Sequence, residues 1–454
     1  MPIWRREFLK GVGGALAGMV VTSPVSGRQK PSQTDEAVVS QAEERIHKCR
    51  MGSASLRVIG PEGKPLPLGT NLRINQTRHK FLFGCNIFKL GRCRTAEDNA
   101  AYAKQFAGLL NYATLPFYWW QYEPQKGQPN DARTEEVIRW CNARGIAMKG
   151  HPLAWNYVDP RWLADSTPEE AMRLQFGRIA RCAERFKGRI DIWDVVNEAT
   201  AYDREELKQR SPKLTQAIAQ MGIRAYVRTA FQTARQAHPQ ATLVINDYRT
   251  GPDYVEKVIS QLVDDAGKPM YDVIGIQSHM QGGYWGAART WDVCERFAKF
   301  GKPLHFTETT VVSGPKRGST WATTPEGEQD QAQRVSEFYT VLFSHPAVEA
   351  LTWWDFTDQG AWQGAPAGLV RNDMSPKPIY EQLLGLVKGK WWTKVETAVS
   401  TGGSVDFQGF LGQYDIEAKA GDRRLAGSPS ATGRASQSAK TAPAGSRSAA
   451  SSSS

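Results

Sequence analysis

The segment IDIWDVVNEA, residues 190–199, decides the fold of this chain. Its apolar residues form a nearly continuous run, which is typical of a strand that is buried on both faces of a parallel sheet. The run ends in the polar pair Asn197-Glu198. The segment therefore predicts a buried strand whose carboxyl end presents an amide and a carboxylate.

Seven other segments share this apolar character. They are FLFGCNIF (81–88), YATLPF (112–117), IAMKGHPLAW (146–155), TLVINDY (242–248), DVIGIQSH (272–279), PLHFTETTV (303–311) and VEALTWWDF (348–356). Amphipathic segments separate them, and one begins with TPEE (167–170), which supplies an N-cap, a first-turn proline and a capping-box glutamate. Eight strands that alternate with helices predict an α/β fold, a (β/α)₈ TIM barrel over residues 81–390. A doubly wound open sheet is the rival topology, but no GxGxxG motif follows the first strand.

In such a barrel the functional side chains gather at the carboxyl ends of the strands. Six predicted strands end in polar or indole side chains: His151 and Trp155, Asn197 and Glu198, Asn246 and Asp247, Gln277 and His279, Thr307 and Glu308, Trp354 and Asp355. Glu198 alone could cap a helix, and Glu308 alone could form an ion pair. Together at one barrel mouth, they are the paired carboxylates that glycoside hydrolysis requires.

Several motifs together resemble the family 10 glycoside hydrolases, the β-1,4-xylanase family: WDVVNEA (193–199), INDY (245–248), GIQSH (275–279), GHPLAW (150–155), the strand-seven Thr-Glu pair and PKPIY (376–380). The resemblance implies a retaining enzyme that cleaves internal β-1,4 linkages of xylan-type polysaccharide by double displacement through a covalent glycosyl-enzyme intermediate. It implies Glu198 as acid/base, Glu308 as nucleophile and His279 beside the nucleophile. The substrate-binding residues that it implies are His151, Trp155, Asn197, Gln277, Trp354 and Trp362.

Three positions depart from the pattern of that family. Thr310 stands where the family has an acidic residue two positions after the nucleophile, and Asn156 stands where it has a second histidine. The family's strand-two Glu-Asn pair and lysine are replaced by LPFYWWQYEP (115–124). We therefore predict that Trp119 and Trp120 bind the glycone side by stacking. Stacked rings reject an altered sugar less strongly than hydrogen-bonding groups do, so a broader substrate range is expected.

Three alternative functions stay open. A related β-glycanase or transglycosylase that acts on a non-xylan or heavily decorated chain fits the altered strand-two segment. A non-catalytic carbohydrate-binding barrel would not need both carboxylates. A metal-dependent amidohydrolase-type barrel needs a His-x-His motif near the first strand, and FLFGCNIF has no histidine.

The predicted ligands follow from the same motifs. We predict no metal and no cofactor, and a polysaccharide or oligosaccharide as the substrate. We predict a monomer with no nucleic-acid partner and, after signal removal, no membrane partner. The 15 tryptophans are numerous for 454 residues, and indole faces serve either core packing or stacking on sugar rings.

The amino-terminal segment has the pattern of a targeting sequence. WRREFLK (4–10) precedes a short apolar run and resembles a twin-arginine export signal, which we predict over residues 1–26. This signal would place the protein in the periplasm or outside the cell. The remaining segments are predicted from composition as a linker (27–53), a small β lead-in (54–80), a C-terminal β segment (391–420) and a disordered tail (421–454).

The net charge of +11 does not indicate a nucleic-acid partner. Residues 1–30 and 421–454 each carry five basic residues and one acidic residue, so most of the excess lies in two terminal segments. The six cysteines include no CxxC pair. A disulfide between Cys85 and Cys93 is conceivable, but scattered free thiols are the preferred prediction.

Overall fold

The structure is a computed structural model. It describes residues 33–60, 63–420, 423–427, 430–431, 437–440 and 442–443. The predicted export signal at residues 1–26 lies outside the described residues. No helix in the described part of the chain is long and apolar enough to span a membrane.

Two helices and two strands precede the barrel: α1 (Asp35–Ser40), α2 (Ala42–Arg50), β1 (Met51–Ile59) and β2 (Asn71–His79). The prediction of a linker over residues 27–53 is therefore wrong for its described part. The side chain of Thr34 caps α1 by accepting a hydrogen bond from the backbone N–H of Ala37. Val38, Ala42 and Ile46 recur every four residues and are buried, a helical pattern that composition alone does not show.

Eight parallel strands close into a barrel, which confirms the predicted fold class. Their bounds are β3 (Leu82–Asn86), β4 (Tyr112–Pro116), β5 (Ala147–His151), β6 (Ile192–Asn197), β7 (Thr242–Asp247), β8 (Val273–His279), β9 (Leu304–Thr310) and, after the short hairpin β10 (Lys316–Arg317) and β11 (Thr320–Trp321), β12 (Val348–Trp353). Strand β12 pairs with both β3 and β9 and so closes the barrel. Each barrel strand lies within one of the eight predicted segments.

Helices connect the barrel strands, and one more helix follows β12. They are α3 (Ala96–Leu109), α4 (Trp119–Tyr122), α5 (Asp131–Asn142), α6 (Pro168–Arg185), α7 (Glu205–Arg210), α8 (Pro212–Met221), α9 (Ile223–Ala237), α10 (Pro252–Lys257), α11 (Ala287–Ala298), α12 (Pro325–Ser344) and α13 (Pro378–Gly385). The start of α6 follows the predicted signals, because Thr167 accepts a hydrogen bond from the Glu170 backbone N–H and Pro168 occupies the first turn. A π-helical turn, Leu386–Lys390, extends α13.

Trp193 is fully buried on the outer face of β6, where it packs against Phe117, which in turn contacts Phe186 at the end of α6. Gly150 lies on β5, next to β6, and these two residues are paired in the sheet. A methyl group at position 150 would overlap the indole of Trp193, so glycine provides the space that the ring occupies. Their chain neighbours Lys149 and Asp194 face the opposite side, the barrel interior, and form an ion pair of 2.7 Å in which both side chains are inaccessible to solvent.

The predicted β lead-in and the predicted C-terminal β segment form one unit. Three strands follow the barrel: β13 (Lys394–Ala398), β14 (Ser404–Phe410) and β15 (Gly412–Ala420). Strand β1 pairs with β14, whereas β2 lies between β13 and β15. A second, smaller core lies in this unit and includes Leu56, Ile74, Val405 and Ile416. The Gly402-Gly403 turn before β14 has positive φ at both residues, a conformation that glycine adopts without strain.

Four further strands lie in the segment that was predicted to be a disordered tail: β16 (Arg423–Gly427), β17 (Ser430–Ala431), β18 (Gln437–Lys440) and β19 (Ala442–Pro443). Strand β16 pairs with β15, and β18 pairs with β1. The prediction of disorder is wrong for these residues, because an open sheet edge offers backbone groups that a chain of any composition can pair with. The rest of residues 421–454 lies outside the described residues.

Candidate active site

Glu198 and Glu308 lie at the carboxyl ends of β6 and β9, as the strand pattern predicts. Glu308 is within β9, whereas Glu198 directly follows β6 and adopts a left-handed backbone conformation with φ of 56°. Non-glycine residues rarely adopt this conformation, and they do so mainly where a functional side chain must be aimed. Both carboxylates are buried, at 8% and 5% exposure.

Three side-chain nitrogens surround the carboxylate of Glu308. Asn246 Nδ2 donates to Oε1 over 2.8 Å, His279 Nε2 lies 3.2 Å from Oε2, and His151 Nε2 lies 3.8 Å from Oε1. Burial alone would raise the pKa of Glu308, but His151 and His279 outweigh burial and lower that pKa below its usual value. Glu308 is therefore ionised at neutral pH, as a nucleophile requires.

Glu198 has the opposite electrostatic balance. Burial raises the pKa of Glu198 to about 8, and the charges of Glu308 and Asp247 add to this effect. Arg204 opposes the rise, because its Nη2 lies 2.6 Å from Glu198 Oε2. At neutral pH much of Glu198 therefore carries a proton beside an ionised Glu308.

A network of three amides links the two glutamates. Asn197 Oδ1 accepts hydrogen bonds from Asn246 Nδ2 over 2.7 Å and from Gln277 Nε2 over 3.1 Å. Asn246 also donates to Glu308, and Gln277 lies 3.4 Å from Glu198 Oε1. The network fixes both carboxylates relative to each other through strands β6, β7 and β8. The Nδ2 group of Asn197 makes only a long contact of 3.5 Å with Glu198, so it remains available to a sugar hydroxyl.

The buried ion pair between Lys149 and Asp194 holds His151 in its orientation. The histidine Nδ1 lies 2.7 Å from Asp194 Oδ2, the same oxygen that Lys149 contacts. Burial would raise the pKa of Asp194, but Lys149 and His151 lower it below its usual value. Asp194 is thus an ionised acceptor that fixes a proton on His151 Nδ1 and turns Nε2 toward Glu308.

Five of the predicted substrate-binding residues are tryptophans, and three of them lie around this site. Trp354 contacts the edges of His151 and His279, with ring centroids 5.5 and 6.5 Å apart. Trp362 lies 4.5 Å from His279 and is 38% exposed, so one face of its ring is open. Trp155 stacks on Tyr157 at 4.3 Å. Together these rings line the cleft on which the two glutamates open.

The strand-two segment is only partly as predicted. Trp119 is 4% exposed, packs against Trp162 and donates its indole N–H to Glu123 over 3.0 Å. The structure therefore does not place Trp119 in the cleft, and its assignment to substrate binding is wrong. Trp120 is half-buried and contacts Tyr118 and Tyr157, at the edge of the aromatic group.

Tyr118 is a site residue that the sequence analysis missed. Its ring lies 5.5 Å from His151 and 6.1 Å from Trp155. Burial raises the pKa of its hydroxyl well above the usual value, and Glu308 and Asp355 add to the rise. The segment could not reveal this, because four aromatic residues in succession leave open which of them faces the cleft.

Arg204 and Asn246 were also missed as site residues. Asn246 was identifiable, since it lies in the INDY motif at a strand end, but no role was assigned to it. Arg204 lies in a loop six residues after Glu198, where no local pattern indicates that it folds back onto that carboxylate. Asn156, one of the three departures, donates to Tyr202 O and Thr215 Oγ1 and supports the loop instead of facing the cleft.

The described residues contain no cluster of three or more His, Cys, Asp or Glu side chains that could hold a metal ion. All six cysteines lie in the described part and carry free thiols, which confirms the preferred prediction. The cleft holds two carboxylates whose pKa values are displaced in opposite directions. Such a pair provides one proton donor and one ionised nucleophile at the same pH.

We compared the sequence of this chain with models of protein families. The sequence model of glycosyl hydrolase family 10 matches residues 77–385. Among curated proteins, the anti-sigma-I factor RsgI6 of Acetivibrio thermocellus is 24% identical over 386 residues, which cover 83% of this chain and 46% of the relative. Endo-1,4-beta-xylanase 2 of Arabidopsis thaliana is 25% identical over 429 residues, which cover 91% of this chain and 36% of the relative. The chain spans less than half the length of these two relatives.

Solved structures show the same barrel. The xylanase 10B of Thermotoga petrophila RKU-1, solved in complex with xylobiose, superimposes with a TM-score of 0.57 at 25% identity, covering 68% of this chain and 95% of that one. The native xylanase 10B of Thermotoga maritima gives a TM-score of 0.56 at 25% identity, and the match covers 68% of this chain and 96% of that one. In both cases the match covers nearly the whole of the solved chain and leaves part of this one outside it.

Proposed function

This chain belongs to glycosyl hydrolase family 10, and we propose that it hydrolyses internal β-1,4 linkages of xylan-type plant polysaccharide with retention of the anomeric configuration. The observation that carries the proposal is the contrast between the two buried glutamates. One pKa is lowered by two histidines, and the other is raised by burial to about 8. A retaining glycosidase needs these two states in one cleft.

The first half-reaction uses both glutamates at once. Glu308 attacks the anomeric carbon and forms an ester bond to it, while the glycosidic C–O bond breaks. The electron pair of that bond stays with the departing oxygen, which takes the proton of Glu198. His279 and Asn246 hold the Glu308 oxygens in place as its charge is lost.

The second half-reaction reverses these roles. Glu198, now a carboxylate, removes a proton from water as the water oxygen bonds to the anomeric carbon. The bond to Glu308 breaks and its electron pair returns to the Glu308 carboxylate. Both the proton donor and the nucleophile are therefore regenerated, and the two inversions leave the configuration unchanged.

The substrate-contact roles are proposals on the same basis. The Nδ2 of Asn197 would bond to the sugar 2-hydroxyl, while His151 and Gln277 would hold other hydroxyls of the sugar whose bond is cleaved. Trp354 and Trp362 would cover its apolar faces, because pyranose rings pack against indole. Trp155 would extend the aromatic surface toward the neighbouring sugar.

One observation favours a second candidate substrate. After strand β4, the Tyr118 ring lies 5.5 Å from His151, in a segment (115–120) that has no charged group and no amide side chain. A stacked or apolar wall discriminates less between sugars than a hydrogen-bonding wall, because no buried donor is left unpaired by a missing hydroxyl. A decorated xylan or a hexose-based β-glycan is therefore the alternative substrate, and a transglycosylase the alternative reaction.

We also propose that the protein is exported, because the WRREFLK segment resembles a twin-arginine signal. The substrate supports this location, since a plant polysaccharide is too large to enter a cell intact. The partner would then be the polysaccharide or its oligosaccharides, bound by a monomer.

The test is product profiling on a panel of xylan, arabinoxylan, glucuronoxylan, β-glucan and mannan. We expect short oligosaccharides from one or more xylans in the wild type and none from Glu308→Ala. Glu256→Ala, which removes an exposed glutamate on α10, is the matched control and should retain wild-type turnover. NMR of the fresh product should show the β-anomer first. Release of the α-anomer first, or undiminished turnover by Glu308→Ala, would exclude the mechanism.

A further inference from the structure

The carboxylate of Glu198 is held on both of its oxygens. Oε1 lies 3.4 Å from Gln277 Nε2 and 3.5 Å from Asn197 Nδ2, two members of the amide network that reaches Glu308. Oε2 lies outside this network and 2.6 Å from Arg204 Nη2. The two oxygens therefore differ: one is loosely held by neutral amides and the other is tightly held by a cation.

Arg204 is itself held in place by Tyr248. The guanidinium carbon lies 5.2 Å from the centre of the Tyr248 ring, close enough for a cation–π contact. Tyr248 directly follows β7, so the strand that carries Asn246 also positions the arginine. One third of the Arg204 side chain is exposed.

Resting on the proposed function, we propose that Arg204 is a positioning residue for the acid/base: it binds Oε2 of Glu198, leaves Oε1 to carry and deliver the catalytic proton, and stabilises the carboxylate that remains. In the first half-reaction the proton leaves Oε1 for the glycosidic oxygen as the C–O bond breaks. Arg204 then faces a fully charged Glu198. In the second half-reaction that carboxylate accepts a proton from water, and the charge is lost again.

Because Glu198 is protonated in one half-reaction and ionised in the other, Arg204 has opposite effects on its role as an acid and its role as a base. A cation beside the carboxylate disfavours the protonated form that the first half-reaction uses, and favours the ionised form that the second uses. The other charged groups that face Glu198 are Glu308 on β9 and Asp247 on β7, and both raise the pKa of Glu198. The Tyr118 hydroxyl, which follows β4, is close enough for the charge of Glu198 to raise the pKa of that hydroxyl. Arg204 supplies the positive charge in this group.

The test compares Arg204→Met, Arg204→Lys and the matched control Arg249→Met. Arg249 contacts the same Tyr248 ring at 5.0 Å, but its side chain faces Asp253 instead of Glu198. The first measurement is a titration of the Glu198 carboxyl by ¹³C NMR, assigned with Glu198→Gln. We expect the midpoint to rise by roughly one pH unit or more in Arg204→Met, to stay near the wild-type value in Arg204→Lys and to be unchanged in Arg249→Met.

The second measurement uses two substrates that separate the half-reactions. With an unactivated xylo-oligosaccharide, the alkaline limit of kcat/KM should move upward in Arg204→Met by the same interval as the titration. With a dinitrophenyl β-xylobioside, whose leaving group departs without a proton, kcat at neutral pH should fall several-fold because less Glu198 is ionised as the base. A loss of folding would lower the rates on both substrates and would leave the alkaline limit in place.

The outcomes separate the two proposals. An unchanged Glu198 midpoint in Arg204→Met overturns the role of Arg204, and so does a shifted midpoint with an unshifted alkaline limit. A wild-type protein that hydrolyses none of these glycosides overturns the proposed function, whereas the NMR titration still measures the Arg204–Glu198 pair. Restoration of the wild-type limit by Arg204→Lys supports the role of the charge.

Discussion

The Thr310 hydroxyl oxygen lies 2.8 Å from Nδ1 of His279, the histidine that contacts Glu308. The two residues are neighbours in register on β9 and β8. The same oxygen lies 3.0 Å from the carbonyl of Trp354. When the hydroxyl donates to that carbonyl, it accepts the proton of Nδ1; when it rotates, it donates to Nδ1 instead. In either arrangement Nδ1 has a partner, and His279 keeps its orientation toward Glu308.

Thr310→Val should therefore lower kcat/KM by about three- to tenfold, the value of one lost neutral hydrogen bond. The valine has nearly the same shape, so the melting temperature should change little. Steady-state kinetics on a xylo-oligosaccharide and a thermal melt provide the two measurements. Thr310→Ser keeps the hydroxyl and is the control; equal kinetics in valine and serine variants would show that the hydroxyl has no role.

The activity should have a pH window set by the two glutamates. Glu198 must be protonated to donate, so kcat/KM should fall as the pH rises through about 8, where Glu198 loses its proton. Glu308 must be ionised to attack, so kcat/KM should fall on the acid side only below the ordinary pKa of a glutamate, because that of Glu308 is lowered. A pH profile on an unactivated oligosaccharide measures both limits. An acid limit well above the usual glutamate range would contradict the assigned charge state of Glu308.

Chemical rescue should distinguish the two carboxylates. Azide should partly restore the turnover of an activated aryl glycoside by Glu198→Ala and should form the β-glycosyl azide, because the anion replaces water and needs no base. The identity of the anomer is read by NMR. Azide should not produce a β-linked product with Glu308→Ala, since the ester intermediate cannot form. The same β-azide from both variants would remove the distinction between the two roles.

The strand-two tryptophans should respond differently to truncation. Trp119→Ala should destabilise the fold by about 3–5 kcal/mol, because a fully packed indole is lost from a buried site. Trp120→Ala should retain the wild-type stability and instead raise KM for longer oligosaccharides several-fold, since this ring lies at the edge of the aromatic group. Urea unfolding and kinetics on xylo- and gluco-oligosaccharides of matched length test the pair. A stable Trp119→Ala protein with altered KM would reverse the assignment.

Gly150→Ala should destabilise the barrel without touching either glutamate. The added methyl group overlaps the Trp193 indole, and overpacking of a rigid core costs about 1–3 kcal/mol. Urea unfolding of the variant measures this loss. Gly177→Ala, on helix α6 with open space around it, is the control and should retain or increase the stability. A Gly150→Ala protein as stable as the wild type would mean that Trp193 can move aside.

Local pattern was sufficient for the barrel and for the positions of the two cleft glutamates. The apolar runs identify β6 and β9, and the polar pairs that end these runs, Asn197-Glu198 and Thr307-Glu308, identify the two glutamates. Pattern was insufficient where a short segment is aromatic throughout, as in the segment that contains Tyr118, Trp119 and Trp120. If the assignment of such a segment shifts by one residue, the side chains predicted to be buried become those predicted to be exposed. Pattern also could not reveal Arg204, since the contact with Glu198 depends on the path of a loop.

The pairing of β1 with β14 joins residues that are more than 340 positions apart in the chain. During synthesis the ribosome releases β1 and β2 first, and their partners β13 to β15 emerge only after the whole barrel has been translated. The two early strands therefore spend that interval with unpaired edges, which is a state prone to association with other chains. The small β unit can therefore be completed only after β13 to β15 have been synthesised, because this long loop has to close before its sheets exist.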